Sequence, residues 1–256
     1  MNSKIVVFMP SIEGGGVEKN LFLICNYLAK KTGKIKLITV SRQFRKKFNS
    51  SVELITFSSD LFDKFSRRIK YLLSIFLLIK EILKNRNILV FSFQANLYCI
   101  IICKLFSVKV ISRSNSAPIG WSKNFVKKLI FRIVLNLSNV ILVNSYQFKK
   151  DLKKEFNVDA KTIYNPLNRK EIIIKSKKKS KKIFTSNKKL KILNIGRFTD
   201  QKDQMTLLKS LNQIKNEIDF EVAIIGKGNL KNKLQNYIDN QDLQKTIKLY
   251  DFVENP

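Results

Sequence analysis

Apolar residues fall along this chain in short, nearly continuous runs that alternate with longer stretches at helical spacing. Lys4 to Met9, Ile35 to Val40, Val52 to Phe57, Ile88 to Phe93, Val108 to Ser112 and Val140 to Val143 are runs of the first kind, the pattern of strands covered on both faces. Between them, Val17, Leu21, Ile24, Cys25 and Leu28 recur as one face of a helix, and Asn96 to Phe106, Phe125 to Leu137 and Ser145 to Phe156 read as further helices. Each crossover has about the length that a parallel βαβ unit needs, so residues 1–168, ending just past Asn165-Pro166, are predicted to form a doubly wound α/β domain. A long helix is expected over Leu61 to Lys84. Its apolar side carries Phe65, Ile69, Leu72, Leu73, Phe76, Ile79 and Leu83, and its other side Lys64, Arg67, Arg68, Lys70, Lys80 and Lys84. Two readings stand for it: a helix packed on the sheet with a cationic outer face, or a basic amphipathic helix lying on an anionic membrane.

The alternation is interrupted once. Arg169 to Lys191 holds eleven Lys or Arg and one Glu, and from Lys175 to Lys189 apolar residues are few, so residues 169–190 read as an exposed basic connection. The period then resumes. Ile192, Leu193 and Ile195 predict a buried strand that breaks at Gly196, and Met205, Leu207, Leu208 and Leu211 predict the helix after it. Phe220 to Ile225 is a second strand, Gly226-Lys227-Gly228 a turn, Asn229 to Asn240 a helix and Thr246 to Tyr250 a third strand. Residues 191–256 thus predict a partial Rossmann-like half whose strand edge and apolar helix faces lack cover.

Candidate chemistry sits at the strand-to-helix turns. Arg197 and Lys202 flank the turn after Gly196, where the positive end of a helix and free backbone N–H groups favour a phosphate. Gly14, Gly15 and Gly16 precede the first helix, where small residues let a ligand approach the backbone, although the triplet is not a dinucleotide G-x-G-x-x-G. Arg113, Ser114 and Asn115 open the polar loop Arg113 to Ser122, at the sheet edge where open α/β folds bind ligands.

Charge sharpens this picture. Across 256 residues, 49 Lys+Arg stand against 19 Asp+Glu, a net charge of +30, which predicts salt-sensitive attraction to phosphorylated ligands, anionic lipid or nucleic acid. Specific nucleic-acid binding is not expected, because no helix-turn-helix, zinc or aromatic-platform signature accompanies the charge. The chain has no histidine and no C-x-x-C pair, so neither a zinc site nor a Ser-His or Cys-His nucleophile can be assembled. Cys25, Cys99 and Cys103 lie in apolar helical runs and read as buried packing residues, which points to a reducing, cytoplasmic compartment. The N-terminus lacks a signal-peptide pattern. The apolar stretch Tyr71 to Ile79 is far shorter than the ~20 residues a membrane span needs.

Six segments together resemble a known family: GGGVEK (Gly14 to Lys19), VNSYQFKKDL (Val143 to Leu152), IYNPLN (Ile163 to Asn168), NIGRFTDQKDQMTLLKSL (Asn194 to Leu211), AIIGKGNLKNKLQ (Ala223 to Gln235) and IKLYDFVENP (Ile247 to Pro256). Their order and spacing resemble the retaining, GT-B-fold glycosyltransferases of family 4, the group 1 glycosyl transferases. The resemblance implies two Rossmann-like domains facing a cleft, the second binding a nucleoside diphosphate-sugar and the first a lipid-linked or polysaccharide acceptor. It implies that Arg197 and Lys202 hold the donor diphosphate and offset leaving-group charge in place of a metal, so no metal or other cofactor is expected. It also places Gly14, Gly15, Gly16, Gly196, Gly226, Gly228 and Phe252 around the donor, with Arg113, Ser114 and Asn115 on the acceptor side. A peripheral position on the inner face of the cytoplasmic membrane follows from the resemblance and the charge together. Two features of the family are missing. A Glu-x7-Glu segment normally follows further on, and Glu254 does not replace it; a histidine near the sugar is absent. The expectation is therefore a C-terminally truncated enzyme, with a non-catalytic remnant or a membrane- or partner-binding subunit of the same fold as the alternative.

Overall fold

The computed structural model describes residues 4–13, 15–116, 124–178 and 183–253, which fall into two compact units, Met1–Asn168 and Arg169–Pro256. Gly14, Glu254 and the tryptophan-bearing part of the 113–122 loop lie outside the described residues.

In the first unit β1 (Lys4–Phe8), β2 (Ile35–Ile38), β3 (Val52–Ile55), β4 (Ile88–Ser92), β5 (Lys109–Ser114), β6 (Val140–Val143) and β7 (Lys161–Thr162) form one parallel sheet in the order β3-β2-β1-β4-β5-β6-β7. The pleat of β1 shows why its run is apolar throughout. Val6 and Phe8 point into one core, Val7 and Met9 into the other. Helix α1 (Gly16–Thr32) covers the second face with Leu21, Cys25 and Ala29. The first face is covered by α2 (Arg67–Lys84), α3 (Asn96–Leu105), α4 (Phe125–Asn136) and α5 (Tyr146–Phe156), whose buried residues include Leu78, Cys103, Leu135 and Leu152. This is the doubly wound α/β arrangement predicted from the pattern. Side-chain caps mark two of the helix starts: Asn124 Oδ1 accepts from the Lys127 N–H at 3.1 Å, and Ser145 Oγ from the Phe148 N–H at 3.1 Å.

Two expectations for this unit are corrected. The helix predicted from Leu61 begins at Arg67, because Asp60–Lys64 is a separate 3-10 turn followed by extended Phe65 and Ser66. That turn is held by Phe62, whose ring stacks on Phe57 at 4.7 Å and meets Phe65 edge-on at 5.4 Å, and by Asp63, which accepts from the Arg42 N–H at 3.0 Å. The second correction concerns the apolar side of α2; of its expected cationic side Lys64, Arg67, Arg68, Lys80 and Lys84 are exposed and only Lys70 turns inward. Lys70, Ser74, Leu77, Leu78, Glu81 and Ile82 are buried, whereas Leu72 (69% exposed), Phe76 (59%) and Leu83 (61%) face outward. The inward Glu81 is tied to Lys36 of β2 by a salt bridge, while Leu77, Leu78 and Ile82 of the same helix join the core.

The second unit contains α6 (Arg169–Ser176) and a three-stranded parallel sheet among its described residues, β8 (Leu190–Ile195), β9 (Phe220–Ile225) and β10 (Ile247–Tyr250), in the order β10-β9-β8. Helices α7 (Gln204–Ile214) and α8 (Lys231–Asn240) pack on one face through Leu208, Leu211, Leu234 and Ile238 against Phe220, Val222 and Ile224. All six residues of β9 are buried, as a central strand requires. The buried strand expected around Ile192 is an edge strand instead: Ile192 joins the core, while Leu193 and Ile195 lie half exposed on the opposite face. The basic stretch expected as an open connection carries the exposed helix α6, and its residues 183–186 close onto the sheet. Glu221 makes that closure. Its carboxylate accepts from the Thr185 N–H (2.9 Å), the Thr185 hydroxyl (3.1 Å) and the Ser186 N–H (3.0 Å), and these donors hold its pKa below the usual carboxylate range, Ser186 contributing most.

Two predictions follow from these carboxylates. Glu81 is buried with Lys36 as its ion-pair partner, so Lys36→Met should cost about 3 kcal/mol in urea unfolding, and the double change with Glu81→Leu should recover most of that loss. Glu221 has a depressed folded-state pKa, so its contribution is fully present above the unfolded carboxylate value of about 4.3 and is lost as pH falls through the lower folded value. Glu221→Gln should therefore reduce the acid-side slope of stability against pH below about pH 4. An unchanged slope would contradict this assignment.

Candidate functional site

The turn between β8 and α7 is built backbone on backbone. At its start the Gly196 N–H donates to Ile225 O (3.0 Å), and two residues on the Phe198 N–H donates to Lys227 O (2.9 Å). Phe198 O in turn accepts from the Leu230 N–H at 3.2 Å, so the 226–230 segment brackets Phe198 from both sides. The approach is too close for side chains. A Cβ on Gly226 would stand 1.9 Å from Gly196 O, and one on Gly228 2.3 Å from Phe198 O. This is the physical reason for the glycine pair in the turn read as Gly226-Lys227-Gly228.

Phe198 and Gln204, neither of them singled out in the sequence, complete the brace. The Phe198 ring is fully buried among Leu208, Leu234 and their neighbours, and Gln204, 2% exposed, donates its Nε2 to Arg197 O at 3.0 Å. Their signal was an aromatic residue inside an otherwise polar turn and a glutamine at the helix start. Asp203 caps α7, its Oδ1 accepting from the Thr206 N–H at 3.4 Å, with its own backbone left-handed at φ +48°. With its carbonyl taken by Gln204 Nε2 and the Thr199 N–H, Arg197 sends its side chain into solvent. Lys202 is exposed as well, and its Cγ and Cδ lie 3.6 and 3.7 Å from where a Cβ on Gly196 would stand. The lysine stem therefore runs over Gly196, and Arg197 and Lys202 both lie on a hydrogen-bonded turn at the C-terminal end of a parallel strand. Phe252 is exposed beyond β10, and the Lys227 ammonium stands 5.5 Å from its ring centroid.

In the first unit Gly15 and Gly16 stand at the N-terminus of α1. The loop before them is clamped: Glu13 is held by both Arg67 Nε (3.0 Å) and Arg67 NH2, and these bonds keep its carboxyl below the usual range. Arg113 and Ser114, expected in a loop, are the last two residues of β5, paired with Leu142 and Val143 of β6 and buried. The polar residues continue the strand because Arg113 finds partners inside the protein, Asn165 Oδ1 at 2.9 Å and Ile163 O at 3.4 Å, while burial lowers its pKa. Asn115 lies just past the strand and donates to Phe93 O at 2.9 Å. The three cysteines are buried and free, and burial raises the thiol pKa of Cys25 and Cys99 above the ordinary range, as fits packing groups.

The glycine contacts separate cleanly by experiment. Gly226→Ala and Gly228→Ala should each destabilise by about 3 kcal/mol or more, because backbone atoms occupy the Cβ position. Gly196→Ala, which meets only ordinary contacts at 3.5 Å and beyond, should cost less than about 1 kcal/mol by thermal unfolding.

Comparison with known proteins places this turn in a family context. Residues 175–256 match the family described as Glycosyl transferases group 1. Among curated proteins, the N-acetylgalactosamine-N,N'-diacetylbacillosaminyl-diphospho-undecaprenol 4-alpha-N-acetylgalactosaminyltransferase of Campylobacter jejuni is 25% identical over 169 residues, which are 62% of this chain and 44% of that protein. The chain spans less than half the length of the curated relatives it matches. Among solved structures, a glycosyltransferase from Rickettsia africae superposes with a TM-score of 0.71 at 18% identity over 99% of this chain and 69% of its own. The Anabaena HepE protein in complex with UDP does so with a TM-score of 0.67 at 13% identity, over 98% and 70%. The chain thus has the fold of the GT-B glycosyltransferases, and its second unit carries the match to the group 1 glycosyl transferases.

Proposed function

We propose that this chain belongs to a retaining glycosyltransferase that moves a sugar from a nucleoside diphosphate-sugar to a lipid-linked or polysaccharide acceptor. The observation that carries this reading is the β8–α7 turn, where Arg197 and the Lys202 stem over Gly196 present two cations on a backbone braced by Gly226 and Gly228. Breaking the bond between sugar and diphosphate leaves negative charge on the departing phosphate oxygens, and cations held rigidly beside them lower that barrier without reorganising. In this proposal Arg197 binds the diphosphate through its planar fork and Lys202 supplies a point charge. Gly196 leaves room for the phosphate beside the lysine stem, and Lys227 with Phe252 borders the nucleotide. Gly15 and Gly16 at the start of α1 and Asn115 beyond β5 belong to the first unit's part in the reaction. The match over residues 175–256 and the UDP-bound solved neighbour support a nucleotide-sugar donor. A lipid-linked acceptor is supported by the Campylobacter relative, whose name specifies a diphospho-undecaprenol-linked substrate.

Calorimetric titration with UDP, ADP and GDP, at physiological and at high salt, tests the donor assignment. One nucleotide should bind selectively, and Arg197→Ala combined with Lys202→Ala should weaken it about 100-fold while leaving thermal unfolding unchanged, since both side chains are exposed. Equal binding of every polyphosphate, abolished by salt, would contradict it.

A further inference from the structure

The segments that follow β2 and β3 enclose a hollow with no part in the donor chemistry. It measures about 660 Å³ and lies at the C-terminal edge of the parallel sheet, within the range of about 300–1,000 Å³ usual for ligand pockets. The 3-10 turn Arg42–Lys47 brings Arg42, Gln43 and Arg45 to it. Thr56, just past β3, and the turn Asp60–Lys64 bring a hydroxyl and the carboxylates of Asp60 and Asp63, and Leu54 of β3 adds apolar surface.

The two sides are held to each other. The Arg42 N–H donates to Asp63 Oδ1 at 3.0 Å, and its NH1 donates to Ser58 O and stands 3.3 Å from Asp60 Oδ1. Arg45 NH1 donates to Phe48 O and Asn49 O, both at 3.2 Å. Each guanidinium uses only its NH1 in these bonds, which leaves it further N–H donors. Gln43 is exposed, and the Thr56 hydroxyl has no partner among the described residues. The hollow is also tied to the loop that leads to Gly15 and Gly16, because Ser41 Oγ accepts from the Ile12 N–H at 3.0 Å and the Val40 N–H donates to Pro10 O at 3.0 Å.

Charge selects the ligand. The chain as a whole carries +30, yet this lining sets two guanidiniums against two carboxylates. An anion would meet Asp60 and Asp63, and a cation would meet Arg42 and Arg45. A neutral ligand that both donates and accepts suits all four. Adjacent hydroxyls of a sugar accept from a guanidinium and donate to a carboxylate, and the C–H face of its ring can cover Leu54.

We propose that this hollow binds an uncharged saccharide, as a subsite for sugars of an acceptor glycan remote from the reacting one. Its role in an acceptor rests on the glycosyltransferase reading above, whereas the binding itself does not.

Saturation-transfer NMR of the full chain with maltotriose, chitotriose and xylotriose tests the proposal with no nucleotide present, so failure of the UDP titration leaves the result unaffected. At least one trisaccharide should bind with a Kd of about 1 mM, and binding should persist in about 0.5 M salt because a neutral ligand is not screened. Gln43→Ala with Asp60→Asn, at two exposed positions, should weaken it about tenfold. Thr56→Val should weaken it about threefold without lowering the midpoint of thermal unfolding, since the hydroxyl has no protein partner to lose. Arg197→Ala with Lys202→Ala should leave it within about twofold. Circular dichroism confirms that each variant is folded. No binding by any of the three at about 10 mM, or binding indifferent to the Gln43 and Asp60 changes, would overturn the proposal. So would displacement of the sugar by inorganic phosphate, which would assign Arg42 and Arg45 to an anion.

Discussion

The second unit depends on a contact in which two backbones meet with no room for a side chain. Gly226 and Gly228 let the segment after β9 lie directly on Gly196 and Phe198, and three backbone hydrogen bonds close the gap. Phe198 is drawn into the core by the same contact, which leaves Arg197 before it and Lys202 after it on the outside of the turn. Flexible cations on a mobile loop would lose entropy on binding a phosphate and would reorganise as charge develops. Here the backbone beneath them is already fixed, and the ordering is done when the chain folds.

The first unit rests on a different balance. Its parallel sheet is apolar on both faces, and β1 is buried between two cores, Val6 and Phe8 in one and Val7 in the other. Against that background a few internal polar pairs decide orientation. Lys36 and Glu81 join β2 to α2, and Arg113 reaches Asn165 and Ile163 in the segment that leads out of the unit. In each case a charged group finds a partner inside the unit, although Arg113 Nε stays buried without one.

How much of this was legible in the sequence depended on which force ruled locally. The strands over Val140 to Val143 and Phe220 to Ile225 were read to the residue, because an apolar run closed by polar residues has few other solutions. Arg197, Lys202 and the glycine turn were visible as a charge and spacing pattern, although not the reason for the glycines, which lies in a contact between segments some thirty residues apart. Phe198 and Gln204 carry only a weak signal in the sequence, because their work is done by burial. On α2 periodicity leaves the apolar side ambiguous, because Leu77, Leu78 and Ile82 pack inward while Leu72, Phe76 and Leu83 face out, and a buried ion pair across 45 positions cannot be seen in a local window. Polarity predicts a loop at Arg113 and Ser114, whereas partners within the unit let β5 continue through them. The helix α6 and the two-residue strand β7 were missed for want of a local signal, the one being almost as basic as its surroundings and the other too short to have a period.

The central claim is that the braced turn after β8 receives a nucleoside diphosphate. Photoaffinity labelling with an azido-substituted UDP, followed by peptide mapping, tests it most directly. The account predicts label on the segments 196–204, 226–231 and 250–253, displaced by unlabelled UDP and lost with the Arg197 and Lys202 side chains. Label concentrated instead on the lysine-rich stretch 169–191, or spread over the surface without competition by UDP, would contradict it.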